Sequence, residues 1–196
     1  MTSAPYLTSA RQIASRAFGD LLRHGDRAVD ATLGNGHDCA RLCQLVGETG
    51  HVDGFDVQEQ ALLNTRALLE SLGLAGRAEL HLMGHERMAE VVRPGIRLAA
   101  FNLGWLPGAD KGLTTRAGTT LPALSAALTL LSAGGMAVVC VYPGHEEGAR
   151  EEQALLEYAR TLPPGRFTAL WHRFLNGGPG APGCLMIEKI KGEVEE

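Results

Sequence analysis

Residues 30–38, Asp-Ala-Thr-Leu-Gly-Asn-Gly-His-Asp, decide the fold of this chain. The run Arg27–Ala31 predicts a short buried strand, and a helical pattern begins near His37. Gly34 and Gly36 let the chain turn tightly between the two and bring its backbone close to a ligand at the start of the helix. Strand, glycine turn and helix are typical of a nucleotide-binding α/β unit. Two glycines alone are a weak signal, because a plain strand–helix turn has the same pattern.

Short apolar runs and helical patterns alternate along the rest of the chain. The predicted strands are Arg27–Ala31, His51–Asp56, Ala78–Met83, Ile96–Leu103, Met136–Tyr142, Phe167–Phe174 and Cys184–Ile190. The predicted helices are Ser9–Arg23, the one that begins near His37, Gln58–Leu72, Leu121–Leu131 and Glu151–Leu162. Strands joined by crossover helices pair in parallel, whereas the Gly- and Pro-rich loop 176–183 predicts a final hairpin whose last strand is antiparallel. We therefore expect a single α/β domain over residues 1–196, with a leading helix within 1–24 and a frayed tail at 191–196. Its core is a doubly wound, Rossmann-like sheet of about seven strands with helices on both faces.

Composition narrows the function classes. The chain has 196 residues, a hydrophobic fraction of 45% and a net charge of −4. This charge excludes a protein held on nucleic acid mainly by bulk positive charge, but it leaves room for a local basic patch. The four cysteines have no CxxC spacing, so we expect reduced thiols and no metal site. Because no export signal or membrane span is recognisable, the expected location is the cytoplasm.

An acidic residue supports a nucleoside cofactor at the glycine turn. Asp56 ends the second predicted strand, twenty residues after Gly36. A carboxylate at this place accepts both hydroxyls of a ribose in dinucleotide-binding units. Gln58 is near enough to reach the adenosine end, and His85 follows the third strand on the expected adenine side. Either residue is also compatible with a plain surface position.

The loop after the fourth strand, Phe101-Asn102-Leu103-Gly104-Trp105-Leu106-Pro107-Gly108, indicates the reaction. An Asn at a strand end, followed by a turn and an aromatic residue, resembles the Asn-Pro-Pro-Tyr-type motif of amino-group methyltransferases. The Asn102 side-chain oxygen can accept an N–H bond of an amine and aim its lone pair at a methyl donor. Trp105 is placed either to stack on a base or to fill the core.

Four motifs in order resemble one family. They are residues 30–38, Gly-Phe-Asp-Val-Gln at 54–58, Phe-Asn-Leu-Gly-Trp-Leu-Pro-Gly-Ala-Asp-Lys at 101–111 with Leu-Thr-Thr after it, and Tyr-Pro-Gly-His-Glu-Glu-Gly at 142–148. From about Gly25 to Ile190 the chain is similar to the rRNA methylase family of small class I methyltransferases that use S-adenosylmethionine. The family has been linked to the tRNA wobble uridine, where 5-aminomethyl-2-thiouridine becomes its 5-methylaminomethyl form. The motifs are specific for the family and less so for the RNA, since the family's name and this link imply different RNAs.

The resemblance implies roles for individual residues. It assigns the cofactor to Asp30, Gly34, Asn35, Gly36, Asp56, Gln58, Gly84 and His85, with ribose at Asp56 and Gln58. It assigns the substrate amine to Asn102 and the stretch up to Lys111, which includes Leu103, Gly104, Trp105 and Asp110. Family members often carry Tyr where Trp105 stands, so a stacking face is kept here and a hydroxyl is lost.

Two further loops face the same predicted cleft. Lys111 and Arg116 lie among threonines, which suits RNA phosphates, although a solvated loop explains the same composition. Tyr142 ends the fifth predicted strand and His145 follows it. His145 could take the proton that the amine loses, or simply begin a helix.

The favoured interpretation is an N-methyltransferase that acts on a modified base in the anticodon arm of tRNA. Methylation of rRNA or of another amine is the alternative within the same chemistry. A nicotinamide-dependent oxidoreductase shares the glycine turn and the acid, and a non-catalytic cofactor-binding module shares the fold. A homodimer would give this small chain a larger contact surface for an anticodon arm. We expect one on this ground alone, since no sequence feature indicates it.

Overall fold

The computed structural model describes residues 9–104 and 114–190. The helices in this part of the chain are α1 (Ala10–Leu21), α2 (His37–Val46), α3 (Glu59–Ser71), α4 (Ala117–Leu130) and α5 (Glu146–Thr161). The strands are β1 (Arg27–Asp30), β2 (His51–Asp56), β3 (Ala78–Leu82), β4 (Ile96–Asn102), β5 (Leu131–Val141), β6 (Phe167–Arg173) and β7 (Gly183–Lys189). Two short 3₁₀ segments, Ala75–Arg77 and His85–Glu90, flank β3.

The strands form one seven-stranded sheet in the order β3-β2-β1-β4-β5-β7-β6. The first five strands are parallel, and β7 runs antiparallel between β5 and β6. The predicted doubly wound sheet with an antiparallel last strand is therefore confirmed. The strand order reverses between β1 and β4, and ligands of such sheets bind outside the carboxyl ends at that reversal.

Two apolar layers hold the helices to the sheet. One layer lies between the sheet and α4 and α5, and its largest buried side chains include Phe55, Phe101, Leu124 and Leu155. The other lies under α1, α2 and α3, and it includes Phe18, Leu42, Leu69 and Leu98. Burying each such side chain stabilises the fold by about 1.5–3 kcal/mol. The layers fix the positions of the strand ends and of the loops that follow them.

Two helices begin earlier than the sequence predicts, because polar contacts hold their first turns. Helix α4 starts at Ala117 rather than Leu121, since Thr120 donates a 2.7 Å hydrogen bond to the buried carboxylate of Glu151. Helix α5 starts at Glu146 rather than Glu151, since His145 caps it. Neither contact is visible in an apolar pattern.

Strand β5 begins at Leu131, where the sequence predicts the end of a helix and a glycine turn before Met136. Gly134 has a φ of 72°, and the pairing of β4 with β5 shifts register between Ile96 and Leu98. The glycine pair thus lies inside an irregular strand, and a bulge replaces the predicted turn.

In the described residues, none of the helices combines the length and the apolar character that a membrane span requires. The predicted frayed tail at 191–196 lies outside the described residues.

Candidate functional site

A cavity of about 610 Å³ lies beyond the carboxyl ends of the parallel strands. Its volume is within the roughly 300–1,000 Å³ usual for small-molecule sites. The predicted site residues that line it are Gly34, Asn35, Asp56, Gln58, Gly84, His85, Asn102, Leu103, Gly104, Arg116 and Tyr142. The fold thus brings residues from five separate loops to one cavity.

The glycine turn is held by both of its neighbours. Gly34 has a φ of 54° and donates its N–H to an Asp56 carboxylate oxygen at 3.0 Å. Gly36 has a φ of 80°, and a Cβ there would lie 2.8 Å from the Cα of Thr65. Glycine at 36 therefore lets α2 pack closely against α3. Gly36 is not among the cavity-lining residues of the described chain, so its predicted cofactor contact stays a prediction.

The Asp56 carboxylate organises the cofactor side of the cavity. One oxygen accepts the N–H of Gly34, and the other accepts the N–H of Gln58, each at 3.0 Å. A carboxylate offers about four acceptor positions, so two backbone bonds leave room for two hydroxyl donors. The side chain lines the cavity, and this arrangement suits a ribose diol.

Asp30 lies beneath the cavity wall. Its side chain is 1% exposed, and one oxygen accepts the N–H of Thr32 at 3.1 Å. Burial, followed by the neighbouring charge of Asp38, raises the pKa of Asp30 to about 7. Its predicted contact with a cofactor also stays a prediction, since Asp30 is not among the described residues that line the cavity.

His85 is a neutral group on the cavity wall. Its Nδ1 lies 3.0 Å from the carbonyl oxygen of Ala31, which selects the tautomer with the proton on Nδ1. Burial lowers the pKa of His85, and its ring packs against Phe101 with centroids 5.9 Å apart. The remaining ring nitrogen, Nε2, can accept a hydrogen bond from a ligand.

Asn102 is fixed on both sides of its amide. Its oxygen accepts the hydroxyl of Tyr142 at 2.8 Å, and its Nδ2 donates to Asp38 at 3.3 Å. The other Asp38 oxygen accepts Arg11 Nη2 at 3.2 Å. The backbone N–H of Asn102 donates to the Thr32 hydroxyl at 2.8 Å. Two direct contacts, from α2 and from the loop after β5, thus hold the side-chain amide in one orientation, and Arg11 and Thr32 support them through Asp38 and the Asn102 backbone.

A buried acid ties down the loop that follows Asn102. The Gly104 N–H donates to the Thr115 hydroxyl at 2.9 Å, and this hydroxyl donates to Glu151 at 2.9 Å. The Thr120 hydroxyl donates to the second Glu151 oxygen. Burial raises the pKa of Glu151, and these two hydroxyl donors partly offset the rise. Glu151 thereby joins both sides of the segment between Gly104 and Thr115 to α5.

The remaining predicted residues do not reach the cavity wall or lie outside the description. His145 Nδ1 accepts the Gly148 N–H at 3.1 Å, which gives it a helix-capping role. His145 is not among the described residues that line the cavity, and its part in proton transfer stays a prediction. Trp105, Asp110 and Lys111 lie outside the described residues.

Sequence reasoning missed several residues that shape this site. Asp38 is part of residues 30–38, and an acid in the first turn of a helix could have indicated a site residue, but the sequence pattern assigned it no role. Arg11, Thr32 and Glu151 gave no local signal, because each acts through a partner at least 27 residues away.

Three metal-ligating side chains meet elsewhere on the sheet. Ligand atoms of His51, Asp53 and Glu79 lie within 4.8 Å of one another. Asp53 already has Arg27 Nη2 at 3.7 Å and His81 Nε2 at 3.1 Å. Because Asp53 is buried, these contacts make the cluster a polar network that joins β1, β2 and β3.

Comparisons with known proteins agree with this geometry. A family model described as "Putative rRNA methylase" matches residues 52–188. The chain is 33% identical over 190 residues to the chloroplastic tRNA (mnm(5)s(2)U34)-methyltransferase of Arabidopsis thaliana, with 92% of this chain and 69% of that protein covered. The crystal structure of a putative rRNA-methylase from Clostridium thermocellum has a TM-score of 0.92 and 36% identity, covering 95% of this chain and 100% of that one. A putative methyltransferase from Streptococcus mutans, solved in complex with SAH, has a TM-score of 0.84 and 35% identity, covering 93% and 99% of the two chains.

Proposed function

The chain belongs to the "Putative rRNA methylase" family and is an S-adenosylmethionine-dependent methyltransferase, and we propose that it methylates the 5-aminomethyl group of 2-thiouridine at the tRNA wobble position. The observation that carries the proposal is the Asn102 amide, fixed on the cavity wall by Tyr142 and Asp38. An amide held in this way can accept an N–H bond and orient an amine, but it is not itself a nucleophile. The name of the Arabidopsis relative supports tRNA as the substrate.

The cavity fits S-adenosylmethionine. Asp56 keeps acceptor positions for the ribose hydroxyls, and Gln58 lies beside it. We place the methionine part along Gly34 and Asn35, and the adenine beside Gly84 and His85, where the neutral imidazole offers an acceptor. When bound, S-adenosylmethionine supplies a methyl group on a positively charged sulfur.

The protein contributes position rather than covalent chemistry. After the bond from Tyr142, the Asn102 oxygen has one acceptor position left for the substrate amine. The bonds through Thr115 to Glu151 hold Gly104, and so the start of the substrate loop, in place. Holding two reactants in a reactive geometry lowers a barrier by as much as about 7–11 kcal/mol, so orientation alone can account for most of the rate.

RNA contact is proposed to rest on few charges. The net charge of the chain is −4, and Arg116 is an exposed cation on the cavity wall. Together with Lys111 it would neutralise few phosphates. A plot of the logarithm of the tRNA binding constant against the logarithm of salt concentration should therefore have a shallow slope, of about −0.7 to −0.9 per phosphate. Substrate contacts by Trp105, Asp110 and Lys111 remain part of the proposal, as do a homodimer and a cytoplasmic location.

The proposal is tested by methyl transfer from labelled S-adenosylmethionine to three RNAs. These are a tRNA with 5-aminomethyl-2-thiouridine at the wobble position, the same tRNA with plain 2-thiouridine, and ribosomal RNA. We expect label only in the first RNA, recovered by nucleoside mass spectrometry as the 5-methylaminomethyl form. Label in ribosomal RNA would favour the second candidate, which the family description suggests. No label in any RNA, by a protein that binds S-adenosylmethionine, would contradict both.

A further inference from the structure

Asp38 is a carboxylate in the cavity with no part in the cofactor assignments above. Among the described residues, the acids that line the cavity are Asp38, Asp56 and Glu86. Asp56 accepts two backbone N–H groups and is assigned to the ribose hydroxyls of the cofactor. Glu86 lies against Gly84, so close that a Cβ on that glycine would overlap its carboxylate oxygens. Asp38 is the one of these three acids that contacts Asn102.

The surroundings of Asp38 hold its carboxylate in place and leave part of it accessible. Asp38 lies in the first turn of α2, where the helix dipole favours a negative charge. One oxygen accepts Arg11 Nη2 at 3.2 Å, and the other accepts Asn102 Nδ2 at 3.3 Å. The side chain of Asp38 is 18% exposed and that of Arg11 is 47% exposed. Since each carboxylate oxygen has two acceptor positions, the oxygen beside Asn102 can accept a second donor.

The proposed substrate matches this arrangement in charge. An alkylamine resembles the lysine side chain, whose reference pKa is about 10.4, so an aminomethyl group reaches the protein as an ammonium ion. An ammonium has three N–H donors and no acceptor. The free acceptor positions of Asp38 and of the Asn102 oxygen belong to one hydrogen-bonded pair of side chains, so two of the three donors can be used there.

We propose that Asp38 is the counter-ion of the substrate ammonium, and that together with Asn102 it selects an aminomethyl base over a neutral base of the same shape. This inference rests on the proposed function and adds the form in which the substrate is recognised. A polar neutral group in the same place would gain one hydrogen bond and no charge interaction. Asp38 thus has a binding role in which the cofactor takes no part. Because an ammonium has no lone pair, it must lose one proton to solvent before methyl transfer; its two remaining N–H groups then stay on Asp38 and Asn102, and the freed lone pair is the nucleophile.

The experiment measures binding with the SAH-loaded full chain. Its probes are two anticodon-arm RNAs, one with 5-aminomethyl-2-thiouridine and one with 5-hydroxymethyl-2-thiouridine. Wild-type protein should prefer the aminomethyl RNA by about ten- to a hundredfold, the usual effect of a hydrogen bond to a charged group. Asp38→Asn keeps the shape and the acceptor for Asn102 but removes the charge, and it should lose most of this preference. Asp38→Glu should retain more of the preference than Asp38→Asn.

Glu86→Gln is the matched control, since it removes a charge from another acid of the same cavity and should leave the preference ratio unchanged. SAH affinity measured by calorimetry should be the same for wild type and for Asp38→Asn, which shows that the variant is folded. A full preference in Asp38→Asn would overturn the role of Asp38 alone. An equal loss of the preference in Glu86→Gln would show that it depends on the total negative charge of the cavity, and this would also overturn the role of Asp38. A wild-type protein that methylates neither RNA and prefers neither would overturn the proposed function itself, and the inference with it.

Discussion

The two ends of the cavity are built in different ways. At the cofactor end, Asp56 binds backbone N–H groups of two adjoining loops, and a glycine turn follows directly from β1. The end that would hold the methyl acceptor, the substrate amine, is called the acceptor end. There Asn102 is held by side chains that come from α2 and from the loops after β1 and β5. Backbone contacts fix the first end through the fold itself, whereas the second depends on a chain of side chains. A single substitution should therefore weaken binding at the first end and disturb orientation at the second.

Asp30 provides a test of whether the two ends share an electrostatic environment, because the charges of Asp38 and Asp56 both raise its pKa after the larger effect of burial. With a pKa of about 7 in the folded protein against an ordinary 3.8, the folded state keeps a proton that the unfolded chain has lost. The contribution of Asp30 to stability should therefore fall as pH rises from about 4 through about 7, by up to about 4 kcal/mol in total, and level off above that. Asp30→Asn should remove this dependence and be the more stable protein at pH 8.

Urea unfolding from pH 4 to pH 9 measures the effect on Asp30→Asn. Asp20→Asn, at an exposed position of α1, is the control and should follow the wild-type curve. Parallel curves for wild type and Asp30→Asn would show that Asp30 titrates normally in the folded protein, so that neither its burial nor the charges of Asp38 and Asp56 raise its pKa.

Asn102→Ala tests the acceptor end. Loss of the orienting bond and of the fixed amine geometry should reduce turnover by about a hundred- to a thousandfold, or roughly 3–4 kcal/mol. S-adenosylmethionine affinity should change little. Asn102→Asp keeps an N–H acceptor for the amine, but its second oxygen replaces the Nδ2 donor that lies 3.3 Å from Asp38, so the two carboxylates repel each other. Its optimum should move to higher pH, since the added negative charge stabilises the ammonium. Wild-type turnover in Asn102→Ala would refute the assignment.

Asp56→Ala tests the cofactor end. Removing a charged acceptor of two hydroxyls should weaken S-adenosylmethionine binding by about ten- to a hundredfold, or roughly 1.5–3 kcal/mol. Calorimetry measures the affinity directly, and Glu59→Ala, at an exposed position nearby, is the control. An unchanged dissociation constant in a folded Asp56→Ala protein would move the ribose elsewhere.

Gly36→Ala sharpens the comparison by testing backbone packing at the cofactor end. Gly73 has a φ of 68° with nothing within 4 Å of an added Cβ, whereas a Cβ at Gly36 would lie 2.8 Å from Thr65. Gly73→Ala is therefore the matched control, and each of the two substitutions should lower the free energy of unfolding by about 1–2 kcal/mol, because alanine is strained in the left-handed backbone region. Gly36→Ala should cost about 1–3 kcal/mol more through overpacking. Equal losses in denaturant unfolding would show that α2 and α3 can move apart freely.

The difference between the ends also decides what could be predicted from sequence. Asp56 and the glycine turn form a local pattern with a fixed spacing, and Asp56 and Gly34 line the cavity, whereas Gly36 packs against Thr65. Asn102 and Tyr142 were both singled out, but their 2.8 Å bond joins positions 40 residues apart and no pattern links them. The contact of Asp38 with Asn102 spans 64 residues. Pairings of this kind arise when the fold brings separate loops together.

The same reason explains the errors in the predicted elements. The sequence pattern predicted all seven strands of the sheet, although β3 and β6 are only partly buried and β5 begins five residues earlier than expected. The starts of α4 and α5 were wrong by four and five residues, since Thr120 and His145 fix them through polar contacts. The 3₁₀ segment His85–Glu90 packs against α4 and stands where a regular βα unit would have a longer helix.

The central claim is that the cofactor end binds and the acceptor end orients. It is tested most directly by single-turnover methylation of tRNA containing 5-aminomethyl-2-thiouridine at saturating S-adenosylmethionine, with Asp56→Ala and Asn102→Ala side by side. Saturation compensates for weaker binding and does not compensate for lost orientation. The account predicts that Asp56→Ala recovers a rate close to wild type, whereas Asn102→Ala remains about a hundredfold or more below it. Recovery of Asn102→Ala at saturation, or a persistent deficit in Asp56→Ala, would contradict this division of roles.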